Sequence, residues 1–497
     1  MHVDVEGHLG EVRRRVARAV EDRFPETVAF AQKLVSFPSV NPVFSSWRPR
    51  GEKDLQEYLA QYLVSVGFDS PDLWEPDPLL LERKYSGLPG FVPGRCFQDR
   101  PDLVARLPGA GGGRSILLAG HIDVVGADPK REAWVFDPFS GTVHEGRLYG
   151  RGANDMKGGI AAMIQAVLAL GDAGIRLQGD VLVATVVDEE TGGMGTLSLL
   201  DRGYRADAAI FSEPSGLRPV TLCRGILWGR IHVRGRAGHI EISQPGFDQG
   251  GAVDAVEKGR RVLDLIDRLN HDWSRQPKKR HPLLPSACRV NVSMIEAGQH
   301  PSSFAENCVI TVDVQYLPGE RDERGLGGRV KSEVETHLRD GTRDDPWLRE
   351  NPPTIDWFVD VDPAELDPDD GIALVLRGAL RDLGLDPTPD GTEAHSDHSL
   401  LTNHGIPALD FGPGSPFLAH QTNEYVELDE LKKATVAFAF TLMDWCGVET
   451  GPGGRGEPSS GTREERMTKQ ESTAQGSDII RGSGNGFRGG SDGKRVP

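Results

Sequence analysis

Apolar and polar positions along this chain fall into blocks whose period changes. Residues 8–35 carry apolar side chains at helical spacing, ending at SFPSVNP (36–42), where two prolines and an asparagine stop the pattern. A second helical pattern covers 52–66 and stops at Gly67. Residues 70–100 are rich in Pro, Gly and Asp and read as an extended excursion. Beyond it, short apolar runs suited to buried strands, at 115–119, 181–187 and 206–211, alternate with a small-residue apolar helix at 158–170. Such alternation predicts an α/β fold with a mostly parallel sheet flanked on both faces by helices.

The character changes after Cys223. Strand patterns at 226–233, 288–295, 309–316 and 354–359 surround helical patterns at 252–269 and 329–338, enough for a smaller α/β unit with its own sheet. Helix-and-strand alternation resumes near 372 and finishes near Cys446. The expected organisation is a core domain in two pieces, 1–221 and 363–449, interrupted by an inserted domain at 222–362. Residues 450–497 are Gly, Ser, Arg and Glu with almost no apolar side chains, cannot bury a core, and are expected to be disordered.

Bulk properties narrow the partners. A chain of 497 residues exceeds what one hydrophobic core serves, in keeping with several domains. The net charge of −18 argues against nucleic acid or an anionic membrane surface as partner. No apolar run approaches the roughly 18 residues needed to span a bilayer, and the first residues lack the apolar core of a signal peptide. Five cysteines lie far apart with no CxxC pair, so reduced, buried thiols and a cytoplasmic location are expected.

Candidate chemistry follows the strands. GHID (120–123) comes after the first core strand, DEE (188–190) after the second and SEP (212–214) after the third, while GRGANDMK (150–157) precedes the small-residue helix. Open α/β sheets build their sites at the carboxyl ends of strands. One histidine and several carboxylates therefore converge on one edge, where unpaired carboxylates would raise each other's pKa. A divalent cation removes that cost, and imidazole plus carboxylate without thiolate suits zinc, cobalt or manganese.

In this order the motifs GHIDVV, GRGANDMKGG, DEETGG, SEP, Gly238-His239, GIPALDFGPG and AHQTNE (419–424) resemble the co-catalytic zinc amidohydrolases. That family includes acetylornithine deacetylase, succinyl-diaminopimelate desuccinylase, aminoacylase and a bacterial glutamate carboxypeptidase. The likeness covers roughly residues 25–448. It implies a zinc-peptidase-like core with an inserted lid and dimerisation domain, and two metal ions bridged by Asp155. His121 and Glu213 would complete one site, Glu190 and His420 the other. Asp123 would orient His121, Glu189 would be the general base, and the Asp155–Met156 peptide would be cis. Two cations would pull the pKa of a shared water toward neutrality; Glu189 would take its proton and return it to the leaving amine. His239 would reach the oxyanion from the neighbouring subunit, which requires a homodimer. An independent argument separates the two glutamates: neighbours on an extended segment point opposite ways, so Glu189 and Glu190 take different jobs.

The sequence departs from the family where relatives grip a substrate carboxylate. Asn-x-x-Pro and Asp-x-Arg are replaced by SSFA (302–305) and DVQ (313–315), leaving Ser302, Gln315 and Arg224 as candidate substrate contacts. His395, in EAHSDH (393–398), stands where relatives carry small residues and is a further pocket candidate. The resemblance implies hydrolysis of a small N-acyl amino acid, of the acetylornithine or succinyl-diaminopimelate kind. A dipeptidase or carboxypeptidase with the same metals is the rival. A non-catalytic binder should have lost a ligand or the base, and none is lost.

Overall fold

The computed structural model describes residues 10–44, 51–128, 130 and 132–449; the tail at 450–497 lies outside them. Its centre is a nine-stranded sheet. Strands Val181–Val186, Ile116–His121, Ala209–Phe211 and Ala408–Asp410 lie side by side in that order, each parallel to the next. Val181–Val186 and Ile116–His121 are buried at every position, which is why both read as nearly continuous apolar runs, broken only by Thr185 and by the closing Gly120-His121. Towards the edges the pairing turns antiparallel, through Asp102–Leu107 and Asp72–Trp74 on one side and Val220–Cys223 on the other. Helices Glu11–Val35, Gly158–Asp172 and Leu428–Cys446 share one apolar core with it. Gly158–Asp172 begins with GGIAA, and a Cβ on Gly159 would sit 1.9 Å from the Ser212 carbonyl oxygen. The glycine lets this helix press against the strand end that delivers Glu213.

A second, antiparallel sheet has the order Val290–Ala297, Asn307–Tyr316, Gly225–Arg234, Thr354–Val361. Helices Ala255–Trp273 and Gly328–Gly341 pack on it around a separate cluster that includes Leu227, Val262, Ile310, Val312 and Val334. Alternating burial along Gly225–Arg234 shows one face packed and the other more open. Val290–Ala297 is an edge strand that exposes Val292, Met294 and Ile295.

Three local expectations are corrected. Within 70–100 there is a strand, Asp72–Trp74, and a helix, Pro78–Tyr85. Asp77 accepts from the backbone N–H groups of Leu79 and Leu80 at 3.0 and 3.1 Å, so Asp-Pro starts a helix here instead of marking a loop. Residues 189–191 form a 3₁₀ turn after Asp188 in the left-handed region (φ 71°), so they are not extended. Of the five cysteines, Cys96 is exposed and the other four are buried and free. Among the described residues, no helix is long and apolar enough to cross a membrane.

Candidate metal centre

Parallel pairing brings the carboxyl ends of three strands to one edge. His121 ends its strand opposite Val186, which is followed within four residues by Glu189 and Glu190; Glu213 lies two residues beyond the third strand. Asp155 arrives from GRGANDMK, where Gly152 takes a left-handed conformation (φ 83°) and a Cβ would meet Val124 Cγ1 at 2.8 Å. The Asp155–Met156 peptide is cis, as the resemblance implied. His420 comes from the loop before Tyr425–Glu427.

Asp155 stands between two imidazoles. Its Oδ1 is 3.0 Å from His121 Nε2 and its Oδ2 is 3.6 Å from His420 Nε2. Glu213 Oε1 lies 3.6 Å from His121 Nε2, and Glu190 Oε2 lies 2.9 Å from His420 Nε2. In each of the two triads, His121–Asp155–Glu213 and Asp155–Glu190–His420, one ligand atom per residue falls within 4.8 Å of the others. Glu189 belongs to neither, with Oε2 3.8 Å from His121 Nε2. The two neighbouring glutamates thus diverge, through the 3₁₀ turn rather than through strand alternation.

The surrounding polar groups fix this geometry. His121 Nδ1 meets the backbone carbonyl of Asp123 at 2.8 Å, while the Asp123 carboxylate is 3.8 Å away. The orienting group is therefore the Asp123 carbonyl; its carboxylate instead accepts from Asn41 Nδ2 (2.9 Å) and from the N–H groups of Glu189 and Glu190 (both 3.3 Å). Sequence reasoning missed Arg151 and Glu424. Glu424 Oε1 accepts from the N–H groups of Asn154 and Asp155 at 2.9 and 3.0 Å, and its Oε2 accepts from Arg151 Nη1 at 2.6 Å. Arg151 also donates to the carbonyls of Gln421 and His420. This buried pair ties the segment carrying Asp155 to the segment carrying His420. The signal in the sequence was the Arg in GRG and the Glu closing AHQTNE, 273 residues apart.

The electrostatics ask for positive charge. Burial drives the carboxyls of Glu189 and Glu213 well above the usual range, against the pull of His121. Burial would lower His121, yet Glu213, Asp155 and Glu189 outweigh it and hold the imidazole well above its ordinary value. His420 is raised to about 9, the hydrogen bond and charge of Glu190 overcoming burial. Protons on these imidazoles do the work that cations do better: all the triad atoms are oxygen or nitrogen donors, and divalent metals would satisfy them without a proton. The donor set fits two such ions.

The remaining candidates stand elsewhere. Arg224 is buried and donates to Gln315 Oε1 (2.7 Å) and the Ser286 carbonyl (2.5 Å), with Glu393 Oε1 at 3.2 Å. Gln315 Nε2 in turn donates to the Glu393 carbonyl at 3.3 Å. Ser302 Oγ lies 2.9 Å from His300 Nδ1. His239 is exposed on the second sheet's unit, where Ile240 N–H donates to the Ser302 carbonyl at 3.0 Å. Among the described residues, no hydrogen bond or ion pair joins His239 to the two triads. His395, by contrast, is grouped with Glu189 and Asp397 within 4.8 Å.

Residues 117–444 match the model of peptidase family M20/M25/M40. The chain is 30% identical over 443 residues to N-formyl-4-amino-5-aminomethyl-2-methylpyrimidine deformylase of Halalkalibacterium halodurans, covering 86% of this chain and 96% of the relative. It is 31% identical over 353 residues to acetylornithine deacetylase of Myxococcus xanthus, covering 70% and 85%. Among solved structures, human carnosine dipeptidase 1 superposes with a TM-score of 0.66 at 17% identity, covering 87% of this chain and 99% of that one, a likeness of fold.

Proposed function

The chain belongs to peptidase family M20/M25/M40, and from that premise we propose that it is a two-metal hydrolase cleaving the amide bond of a small N-acylated amine. The observation that carries this reading is Asp155, whose two carboxylate oxygens face different imidazoles, with an uncommitted carboxylate, Glu189, beside them. His121, Asp155 and Glu213 would hold one divalent cation and Asp155, Glu190 and His420 the other, zinc first, with cobalt or manganese as alternatives. When bound, such cations acidify water and polarise the scissile carbonyl.

The chain's own residues supply the rest. Glu189 takes a proton from the attacking water on its carboxylate and passes it to the leaving nitrogen, so water and amide become acid and neutral amine. Asp123 holds the N–H groups of Glu189 and Glu190 and so fixes where base and ligand point. Arg151 and Glu424 keep Asp155 and His420 in one rigid frame. His239 sits on the inserted unit proposed at 222–362, the surface that would pair two subunits, and would complete the neighbouring site as oxyanion donor.

The amine half of the substrate is narrowed by Arg224. Its Nη1 and Nη2 are engaged by Gln315, Ser286 and Glu393 and only the buried Nε is without a partner, which leaves no paired N–H fork for a substrate α-carboxylate. That favours an N-formyl aminopyrimidine, the substrate named for the deformylase relative, over N-acetyl or N-succinyl amino acids and dipeptides. A hydrolysis panel of these amides with added zinc, cobalt or manganese tests the reading. Cleavage of none of them by metal-loaded protein would sink it; a preference for α-carboxylate substrates would favour the acetylornithine-like alternative.

A further inference from the structure

Residues 70–100 supply nothing to either metal triad, yet their end packs on the turn that carries Glu189 and Glu190. Val92 fills the space beside Gly192, where a Cβ would meet Val92 Cγ2 at 2.5 Å. Arg95 Nη2 donates to the Thr191 carbonyl, and Arg95 Nε faces Asp188 Oδ2 at 3.4 Å, an ion pair without a hydrogen bond. Arg100 is buried and donates to Asp188 Oδ1 from Nη1 and Nη2 at 3.2 and 3.3 Å. From Nε and Nη2 it also grips the two oxygens of Glu52, at 2.6 and 3.1 Å.

Asp188 is the joint of this turn. It is fully buried and takes a left-handed conformation, φ 71° and ψ 16°, which a residue with a Cβ seldom adopts unless its surroundings hold it there. That step turns the chain into the 3₁₀ turn at 189–191, where the neighbouring glutamates diverge. Thr191 Oγ1 donates to Asp188 Oδ1 at 2.8 Å and closes the turn from within. Behind it, acid and base alternate in the order Glu52, Arg100, Asp188, Arg95. A buried ionic array adds little stability over apolar packing of the same volume, but its directed bonds fix one geometry.

We propose that Arg95 and Arg100 are positioning residues that clamp this turn and so keep base and metal ligand apart. Asp123 holds the turn through the N–H groups of Glu189 and Glu190; the arginines hold it through Asp188 and Thr191, the residues on either flank. The segment at 70–100 thereby gains a purpose in the chemistry without meeting the substrate. The inference rests on the amide-hydrolase reading for the separate roles of Glu189 and Glu190.

The test uses the full-length protein and three substitutions. Arg100→Lys keeps the charge and loses the fork that spans Glu52 and Asp188. Arg95→Met removes the donor to Thr191, and decides the matter if the lysine protein folds poorly. Asp345→Asn, in the unit of the second sheet, is the comparison for lost stability alone. The substrate is N-formyl-4-amino-5-aminomethyl-2-methylpyrimidine or, if that is not cleaved, N-acetylornithine. With zinc at saturation, both arginine variants should lose about tenfold or more in kcat, with KM within about threefold of wild type. Zinc calorimetry should show a selective loss. The binding step that His420→Ala abolishes should weaken by about tenfold or more, while the other step stays within about threefold. Asp345→Asn should lower the melting temperature and leave kcat and both zinc steps unchanged. Arginine variants that behave like Asp345→Asn, or that weaken both zinc steps equally, overturn the proposal. If wild type cleaves no amide, the hydrolase reading has failed, and the zinc steps alone judge the clamp by the same ratios.

Discussion

Glu189 and Glu190 are chain neighbours with separate surroundings, and one substitution at each tells base from ligand. Glu190 is 2.9 Å from His420 in a triad, while Glu189 is outside both triads. Glu189→Gln keeps shape and loses proton transfer, so kcat should fall by about two to four orders of magnitude while bound metal, measured by elemental analysis, stays near two per chain. Loss of metal in that variant would mean the two roles are exchanged. Arg151 and Glu424 call for a different measurement because they touch the ligands through backbone. Removing one member of a buried, hydrogen-bonded pair costs about 3–5 kcal/mol. Arg151→Met should therefore lower unfolding stability by that order in denaturant titrations of the metal-free protein, and weaken metal binding in calorimetry. Wild-type stability in Arg151→Met would show that the pair does not brace the site.

At the scale of elements, what was legible in the sequence was whatever depends on a short stretch. The strands 116–121 and 181–186 are buried at every position and announce themselves as apolar runs, and the ligands follow from what comes directly after them. Strand Asp102–Leu107 was missed because it carries Asp102 and Arg106, and the reason Asp102 can be buried is remote: it accepts from Val187 N–H at 3.1 Å. The helix Pro78–Tyr85 was hidden for the opposite reason, its cap and first residue being the same Asp-Pro that signals a turn. A second capped helix, Pro346–Glu350, permits a pH test. Asp345 accepts from Trp347 and Leu348 N–H and pairs with Lys258 Nζ at 2.9 Å. Burial pushes its carboxyl up, but the Leu348 hydrogen bond and Lys258 outweigh it and the group ends below its ordinary value. A lowered carboxylate stabilises the fold above its unfolded pKa, near 3.8, and loses that contribution as pH falls through the folded value. Asp345→Asn keeps a capping oxygen and loses the charge. It should be less stable than wild type by about 1 kcal/mol at pH 7, and urea titrations should show the gap closing below about pH 3.8.

For the whole molecule, the question is whether one chain holds a complete site. Both candidate metal triads and the proposed base are assembled within a single chain, from segments between His121 and His420. The proposed oxyanion donor is not: His239 is exposed, and among the described residues no hydrogen bond or ion pair ties it to the triads. The unit that carries it also offers a route to a second copy. Its edge strand Val290–Ala297 exposes Val292, Met294 and Ile295, with Ile240 and Ile242 exposed beside His239 in the chain, and an unpaired strand edge with apolar side chains is a surface that a second copy can cover. If two copies pair there and each lends His239 to the other, the lesions His239→Ala and Glu189→Gln must complement. Each homodimer is inactive, since losing one oxyanion donor typically costs about 100-fold or more in kcat and losing the base costs at least as much. In the mixed dimer one site collects both lesions, while the other has an intact Glu189 from one chain and an intact His239 from its partner. Mixing the two proteins under conditions of proven subunit exchange should restore activity approaching half of wild type per mixed dimer. Activity that stays at the level of the parents would place His239 in its own chain's chemistry or outside the chemistry altogether, and the inserted unit would then need another reason to expose its edge.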